Sequence, residues 1–297
     1  MRKIIITLLL VFGFSLMGCK KSEKPTLLVP AGSPLIAVAG MLDDVDYEVT
    51  IGPSLLPSEF IKGEKDIIIA PVIIGAKLYN VGSSKYKLAA VIGFSNLYIV
   101  SRTPLNSIND LDNKSMLAFG EQATPGIVLK QVTQDINLDI EWGSDIKEMI
   151  APFKTKRHDY VLISEPALTT LKNSLEQEVY VMSLKELFLG EIIQVGVFIN
   201  PNSDKNLTKI LNKINKNIEY LNENNVAYAK KIINVHEQLK EFGEKTISSS
   251  ILNLDLDYKN ASDIKVEIEA FLTVLNEYNK ELLGNKLPNN EFYYETK

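Results

Sequence analysis

From position 25 onward, short and continuously apolar runs alternate with segments of helical periodicity. Thr26 to Val29 is the first such run, and Pro30-Ala31-Gly32-Ser33-Pro34 closes it. Beyond that turn Leu35, Ile36, Val38, Ala39, Met41 and Leu42 recur at helical spacing, with Ser33 as a helix cap and Pro34 as the first helical residue. Tyr47 to Ile51 reads as a second strand, Leu55 to Lys62 as a helix stopped by Gly63, and Asp66 to Ala70 as a strand ending at Pro71. Lys87 to Ile92 and Leu97 to Val100 supply two more strands. Runs that are apolar throughout predict burial on both faces, as in a parallel sheet flanked by helices.

The pattern restarts after Arg102-Thr103-Pro104. Ser107 to Leu111 is a helical turn, Ser115 to Phe119 a strand, and Gly126 to Ile136 a helix with Val128, Leu129, Val132 and Ile136 on one side. Strands at Ile140 to Trp142 and Tyr160 to Ile163 alternate with helices at Asp145 to Phe153 and Glu165 to Leu175, before the long apolar strand Ile192 to Ile199. From Ser203 the character becomes helical, with Leu207, Ile210, Leu211, Ile214, Ile218 and Leu221 on one face, and a second amphipathic stretch from Val266 to Leu283. These elements predict an α/β fold of two lobes. The first comprises 25–100 and 195–297, the second 101–194, with crossings at Leu97 to Arg102 and Glu191 to Ile199 forming a two-strand hinge and a helical C-terminal segment completing the first lobe. In open α/β sheets a ligand crevice lies beyond the strand carboxyl ends, so the default site is the cleft between the lobes.

The N-terminus carries a different signal. Arg2 and Lys3 precede an apolar run from Ile4 to Phe14, and Leu16-Met17-Gly18-Cys19 follows. The run is short for a span of ~20 residues. Its order is that of a bacterial lipobox, which assigns 1–18 to a signal peptide, Cys19 to lipidation and 19–24 to a solvated tether. The folded part is then extracytoplasmic and lipid-anchored to the cell membrane.

Composition removes several classes of chemistry. With 32 basic and 37 acidic side chains the net charge is -5, so nucleic acid is not an expected partner. One Cys and two His leave little material for a disulfide framework, a metal site or a histidine-based triad, and no cofactor is implied. The sequence has no GxSxG elbow, no GxxxxGK[ST] phosphate loop and no HExxH helix, so no catalytic residue is assigned and the protein is read as a non-enzyme.

What remains is a set of small and polar residues at the expected strand ends. Gly32-Ser33-Pro34, Gly52-Pro53-Ser54 and Ala123-Thr124-Pro125-Gly126 each open a helix. There a ligand can approach the backbone, helix N–H groups favour an anion or polar oxygen, and the hydroxyls of Ser33, Ser54 and Thr124 can add hydrogen bonds. Each of these residues can equally be an ordinary cap. Glu165, after the strand ending at Ile163, either meets a ligand amine or hydroxyl or stabilises the helix it begins. Asn96 and Tyr98 flank the first crossing, Asn96 as a cleft residue and Tyr98 as cleft or core.

The lipobox at Cys19, the interrupted two-lobe order, Gly63 to Ala70, Asp110-Leu111-Asp112-Asn113-Lys114, Thr124-Pro125-Gly126 and the closing stretch Leu283 to Tyr294 together resemble the solute-binding lipoproteins of ABC importers. The subgroup is the one that includes nitrate, sulfonate, taurine and thiamine-precursor binding proteins. The resemblance implies a type II periplasmic-binding fold that closes on a small, anionic or polar organic solute and delivers it to a membrane permease. By position it places Ser33, Ser54, Pro71, Thr124 and Glu165 against the ligand. Two alternatives stand beside it: an enzyme on the same fold acting on a small metabolite, and a surface lipoprotein serving as adhesin or scaffold.

Overall fold

The computed structural model describes residues 23–295. The segment 1–18, expected to be a signal peptide, and Cys19 lie outside the described residues. In the first part of the chain, β1 (Thr26–Pro30), α1 (Ser33–Val38), β2 (Asp46–Thr50), α2 (Leu56–Lys62), β3 (Ile67–Pro71), α3 (Val72–Asn80) and β4 (Lys87–Gly93) follow one another. The middle part holds β5 (Tyr98–Ser101), β6 (Lys114–Phe119), α4 (Thr124–Val132), β7 (Leu138–Gly143), α5 (Ile150–Lys154), β8 (Tyr160–Ile163), α6 (Ala167–Asn173) and β9 (Tyr180–Ser183). The last part runs through β10 (Val195–Ile199), α7 (Leu207–Glu223), α8 (Asn225–Ile232), α9 (Glu237–Phe242), α10 (Glu244–Ile251), β11 (Leu256–Asn260) and α11 (Lys265–Tyr278).

The strands form two sheets, β11-β4-β10-β3-β1-β2 and β7-β6-β8-β5-β9. Parallel pairing holds for β1 with β2 and β3, and for β6 with β7 and β8. The sheets are mixed rather than parallel because of the strands that enter from the crossings and because β11 runs against β4. β10 runs against both β3 and β4, and β5 runs against both β8 and β9. Each arrives from the opposite lobe, meets its new sheet at the carboxyl edge, and can only run back through it.

One boundary differs from the sequence expectation. The 97–100 strand, grouped there with the first lobe, is β5 of the second sheet, so the first crossing is Phe94 to Leu97 and not Leu97 to Arg102. Its apolar character is the same in either sheet, which is why the pattern could not assign it.

Burial explains the unbroken apolar strands. Leu28, Ile68, Leu88 and Phe198 face one cluster, while Leu27, Val29, Ile67, Ile69 and Val197 face another shared with α7. Each fully buried side chain of this kind contributes ~1.5–3 kcal/mol, which holds α7 by Ile210, Leu211, Ile214, Ile218 and Leu221 while its Lys- and Asn-rich face meets solvent. The first cluster continues into the second lobe through Ile268, Phe271, Leu272 and Leu275 of α11, where Phe271 meets Phe188 at 5.9 Å between ring centroids. The lobes therefore share an apolar seam beside the crossings.

Candidate functional site

Strand register brings the predicted turns to two facing edges. In the first sheet Pro30 is level with Thr50, and Val195 is level with both Pro71 and Gly93. One edge thus carries the ends of β1 to β4 and the start of β10. In the second sheet Tyr98 is level with Ile163 and Ser183, so the ends of β8 and β9 share an edge with the start of β5. The chain passes from Gly93 to Tyr98, and five residues span at most ~18 Å. The two edges are therefore within that distance of one another at the first crossing.

The structure brings most of the predicted residues to these edges but gives them different tasks. α1, α2 and α4 have no side-chain cap hydrogen bond, so Ser33, Ser54 and Thr124 are not the ordinary caps they could have been. Gly32 is the cap of α1 and holds φ 92°, a left-handed backbone that only glycine adopts without strain. Ser33 and Pro71 are half-buried and Ser54 is exposed on its turn. Thr124 is buried, and its hydroxyl has no partner.

Three other predicted residues are committed within the protein. Asn96 donates from Nδ2 to the Glu165 carbonyl at 3.1 Å, and its Oδ1 accepts the Glu165 N–H at 2.7 Å. That two-bond clasp fastens the first crossing to the β8–α6 turn. The Glu165 carboxylate accepts from the Thr169 N–H at 2.9 Å, the Thr169 hydroxyl at 2.8 Å and Asn253 at 3.4 Å. These contacts give the carboxylate a place at the start of α6, and burial raises its pKa above the usual carboxylate range. Gly126 donates its N–H to the Gly120 carbonyl, and a Cβ there would lie 2.4 Å from that oxygen. Its small size serves the packing of α4 on its own turn. Tyr98 is half-buried and donates its hydroxyl to the Asn253 carbonyl at 2.6 Å, and burial raises its pKa.

Sequence reasoning missed Thr50, Ser95 and Gln194. Thr50 ends β2, Ser95 lies in the first crossing and Gln194 ends the second. Thr50 Oγ1, Ser95 Oγ, Thr124 Oγ1 and Gln194 Nε2 are buried without a hydrogen-bond partner. Thr50, Ser95 and Thr124 are only 4%, 2% and 5% exposed. They are four of the eight buried side-chain polar atoms without a hydrogen-bond partner among the described residues, and native interiors leave few such groups. The signal available in the sequence was simple: each is a polar residue at the end of an apolar run or within a crossing.

Also missed was the turn before β11. The Asp255 carbonyl accepts the Phe94 N–H at 3.1 Å, and its carboxylate accepts the Ser95 N–H at 3.0 Å. Lys185, beyond β9, reaches both Asp255 carboxylate oxygens at 2.9 Å. The C-terminal helices therefore touch the second lobe beside the crossings. Among the described residues, no three His, Cys, Asp or Glu side chains are grouped to hold a metal ion. A concavity of about 460 Å³ on α7 lies between lysine, asparagine and threonine side chains of a single helix and gathers none of these groups.

No family model matches the sequence, and no curated protein matches it. Solved structures do match its fold. An ABC transporter protein from Parabacteroides distasonis aligns with TM-score 0.80 at 23% identity, over 93% of this chain and all (100%) of the other. The ligand-binding component of an ABC-type import system from Staphylococcus aureus, with zinc bound, gives 0.70 at 10% identity, over 92% and 97% of the two chains. The periplasmic aliphatic sulphonate binding protein of Escherichia coli gives 0.69 at 12% identity, over 93% and 94%. The chain has the two-lobe α/β fold of these transporter binding proteins.

Proposed function

We propose that the protein is an extracytoplasmic, non-enzymatic solute-binding lipoprotein. It captures a small anionic or polar organic solute between its lobes and delivers it to an ABC permease. The observation that carries this reading is the group of unpaired, buried hydroxyl and amide groups at two facing strand edges, on a fold shared with importer binding proteins. Thr124, Thr50, Ser95 and Gln194 would contact the solute directly. Ser33, Ser54 and Pro71 line the turns around it, while Asn96, Gly126 and Glu165 set the positions of those turns. Lipidation at Cys19 rests on the order of charged, apolar and small residues before it.

A solute that binds only the folded chain at ~100 times its dissociation constant stabilises it by about 2.7 kcal/mol. Thermal unfolding of the full chain against a solute library should therefore yield a response, and Thr124→Arg, which fills the crevice, should abolish it. An unchanged affinity in that variant would remove the crevice as the site. Cys19→Ala should move the protein from the membrane to the soluble fraction; retention in the membrane would refute lipid anchoring through that residue.

A further inference from the structure

Resting on the proposed lipid anchor at Cys19, we infer that a lysine face of α7 docks on the anionic phospholipid surface of the membrane that holds the anchor. No Asp or Glu occurs between Lys205 and Ile218. Lys209, Lys213 and Lys216 recur at spacings of four and three, so they stack on one face of the helix, while Ile210, Leu211, Ile214 and Ile218 are buried on the other. Lys209 and Lys216 are exposed, and neither forms an ion pair among the described residues. Asn206, Thr208 and Asn212 join them around the concavity of about 460 Å³, where their amide and hydroxyl groups add donors for phosphate oxygens.

The fold sets this face where the tether leaves. The Asp66 carboxylate accepts from the Thr26 N–H at 2.8 Å, the Thr26 hydroxyl at 3.0 Å and the Ser203 hydroxyl at 2.5 Å, which ties the first residue of β1 to the segment entering α7. Lys24 donates to the Asp43 carbonyl at 2.7 Å, and the neighbouring Asp44 pairs with Lys213. Lys231 of α8 donates to the Gly40 carbonyl of the same 3-10 turn at 2.9 Å. The acids there do not cancel the lysines. Asp44 and Asp204 face Lys213 and Lys205, and Glu48 pairs with Lys65. Glu23, Asp43 and Asp46 are outnumbered by Lys24, Lys209, Lys216 and Lys231, to which the tether sequence adds Lys20 and Lys21. From Cys19 to Lys24 the chain spans at most ~18 Å. Lipidation therefore holds these lysines beside the head groups, which favour each basic side chain near them by a factor of about five. The charge reverses along the helix: Glu219 and Glu223 lie toward its far end, where Asn222 donates to the Leu256 carbonyl at 2.9 Å and Leu256 is level with Gly93. Docking by the lysine end keeps the strand edge that carries Gly93 and Pro71 clear of the bilayer.

The test uses the lipidated chain in vesicles of phosphatidylcholine, alone or mixed with phosphatidylglycerol. Acetylation of each lysine by a membrane-impermeant reagent is followed by mass spectrometry. On the mixed vesicles Lys209, Lys216 and Lys231 should react about fivefold more slowly, while Lys114, Lys156 and Lys172 of the second lobe keep their rates. High salt should erase the difference. In a double variant, Lys209→Gln with Lys216→Gln, Lys231 should return to its rate on neutral vesicles. Continued protection of Lys231 in that variant would place the effect in the tether alone and overturn the lysine face. So would equal rates on the two kinds of vesicle, or the same protection from inorganic phosphate on neutral vesicles. Failure of the chain to float with neutral vesicles would instead refute the lipid anchor, and with it the placement of this face at the membrane.

Discussion

Glu165 has a carboxyl group in a place that excludes water, and burial raises its pKa there against the pull of the Thr169 and Asn253 hydrogen bonds. With the folded pKa above the unfolded one, the folded chain binds the extra proton between the two values, so stability falls as pH rises through that window. Glu165→Gln has no such titration. Between pH 4 and 7, the Tm of the wild-type chain should decline relative to that of Glu165→Gln, and parallel curves would show that the group does not titrate in this range. Both roles of this residue were open in the sequence, because a carboxylate after a strand end looks the same whether it serves a ligand or the next helix. The Thr169 contact, four residues on, was not visible in that pattern. Thr124 was legible for the opposite reason: its turn chemistry predicted an edge position, and the unpaired hydroxyl was found there.

At the scale of elements, periodicity marked α7 and the strands buried on both faces, since their apolar positions are fixed by packing. It missed α3, whose apolar first turn continues the apolar run of β3 with only Pro71 between them. β9 and β11 escaped because they are short edge strands with half-exposed or polar faces, and edges impose little hydrophobic pattern. Nor did it show what closes α1. The helix passes directly into a 3-10 turn at Ala39–Asp44, and the carbonyls exposed by that change need donors. Tyr228 of α8 donates to the Ile36 carbonyl at 2.6 Å and accepts the Gly40 N–H at 3.1 Å, while Asn217 of α7 donates to the Ala37 carbonyl at 2.7 Å. Tyr228→Phe leaves these buried groups short of a partner and should cost ~1–3 kcal/mol in urea unfolding. Gly126→Ala should cost at least as much, because its methyl group would meet backbone atoms that cannot move aside as a side chain would; a neutral effect would mean that the α4 turn relaxes freely.

For the whole molecule, the crossings are not the only links between lobes. Thr50, Ser95 and Thr124 are closed off from water, so under the proposed function a solute reaches them only when the edges separate. That separation must stretch or carry along the Asn253–Asp255 turn, which Tyr98, Glu165 and Lys185 all hold from the second lobe. Asp255 makes two kinds of contact there, and they can be told apart. Its ion pair with Lys185 is half-exposed and worth ~0–1 kcal/mol. Its acceptance of the Ser95 N–H serves a group with little access to water, and losing that acceptor costs ~1–3 kcal/mol. Lys185→Ala and Asp255→Asn remove the ion pair and leave an acceptor for Ser95; asparagine also tolerates the left-handed φ of 50° at this position. Both should unfold close to wild type, and both should enlarge the ligand-free radius of gyration in small-angle scattering if the pair restrains opening. Asp255→Ala should be clearly less stable than either. Equal destabilisation in all three would place the turn's contribution in the ion pair, and an unchanged radius in Lys185→Ala would mean that the pair does not restrain the lobes.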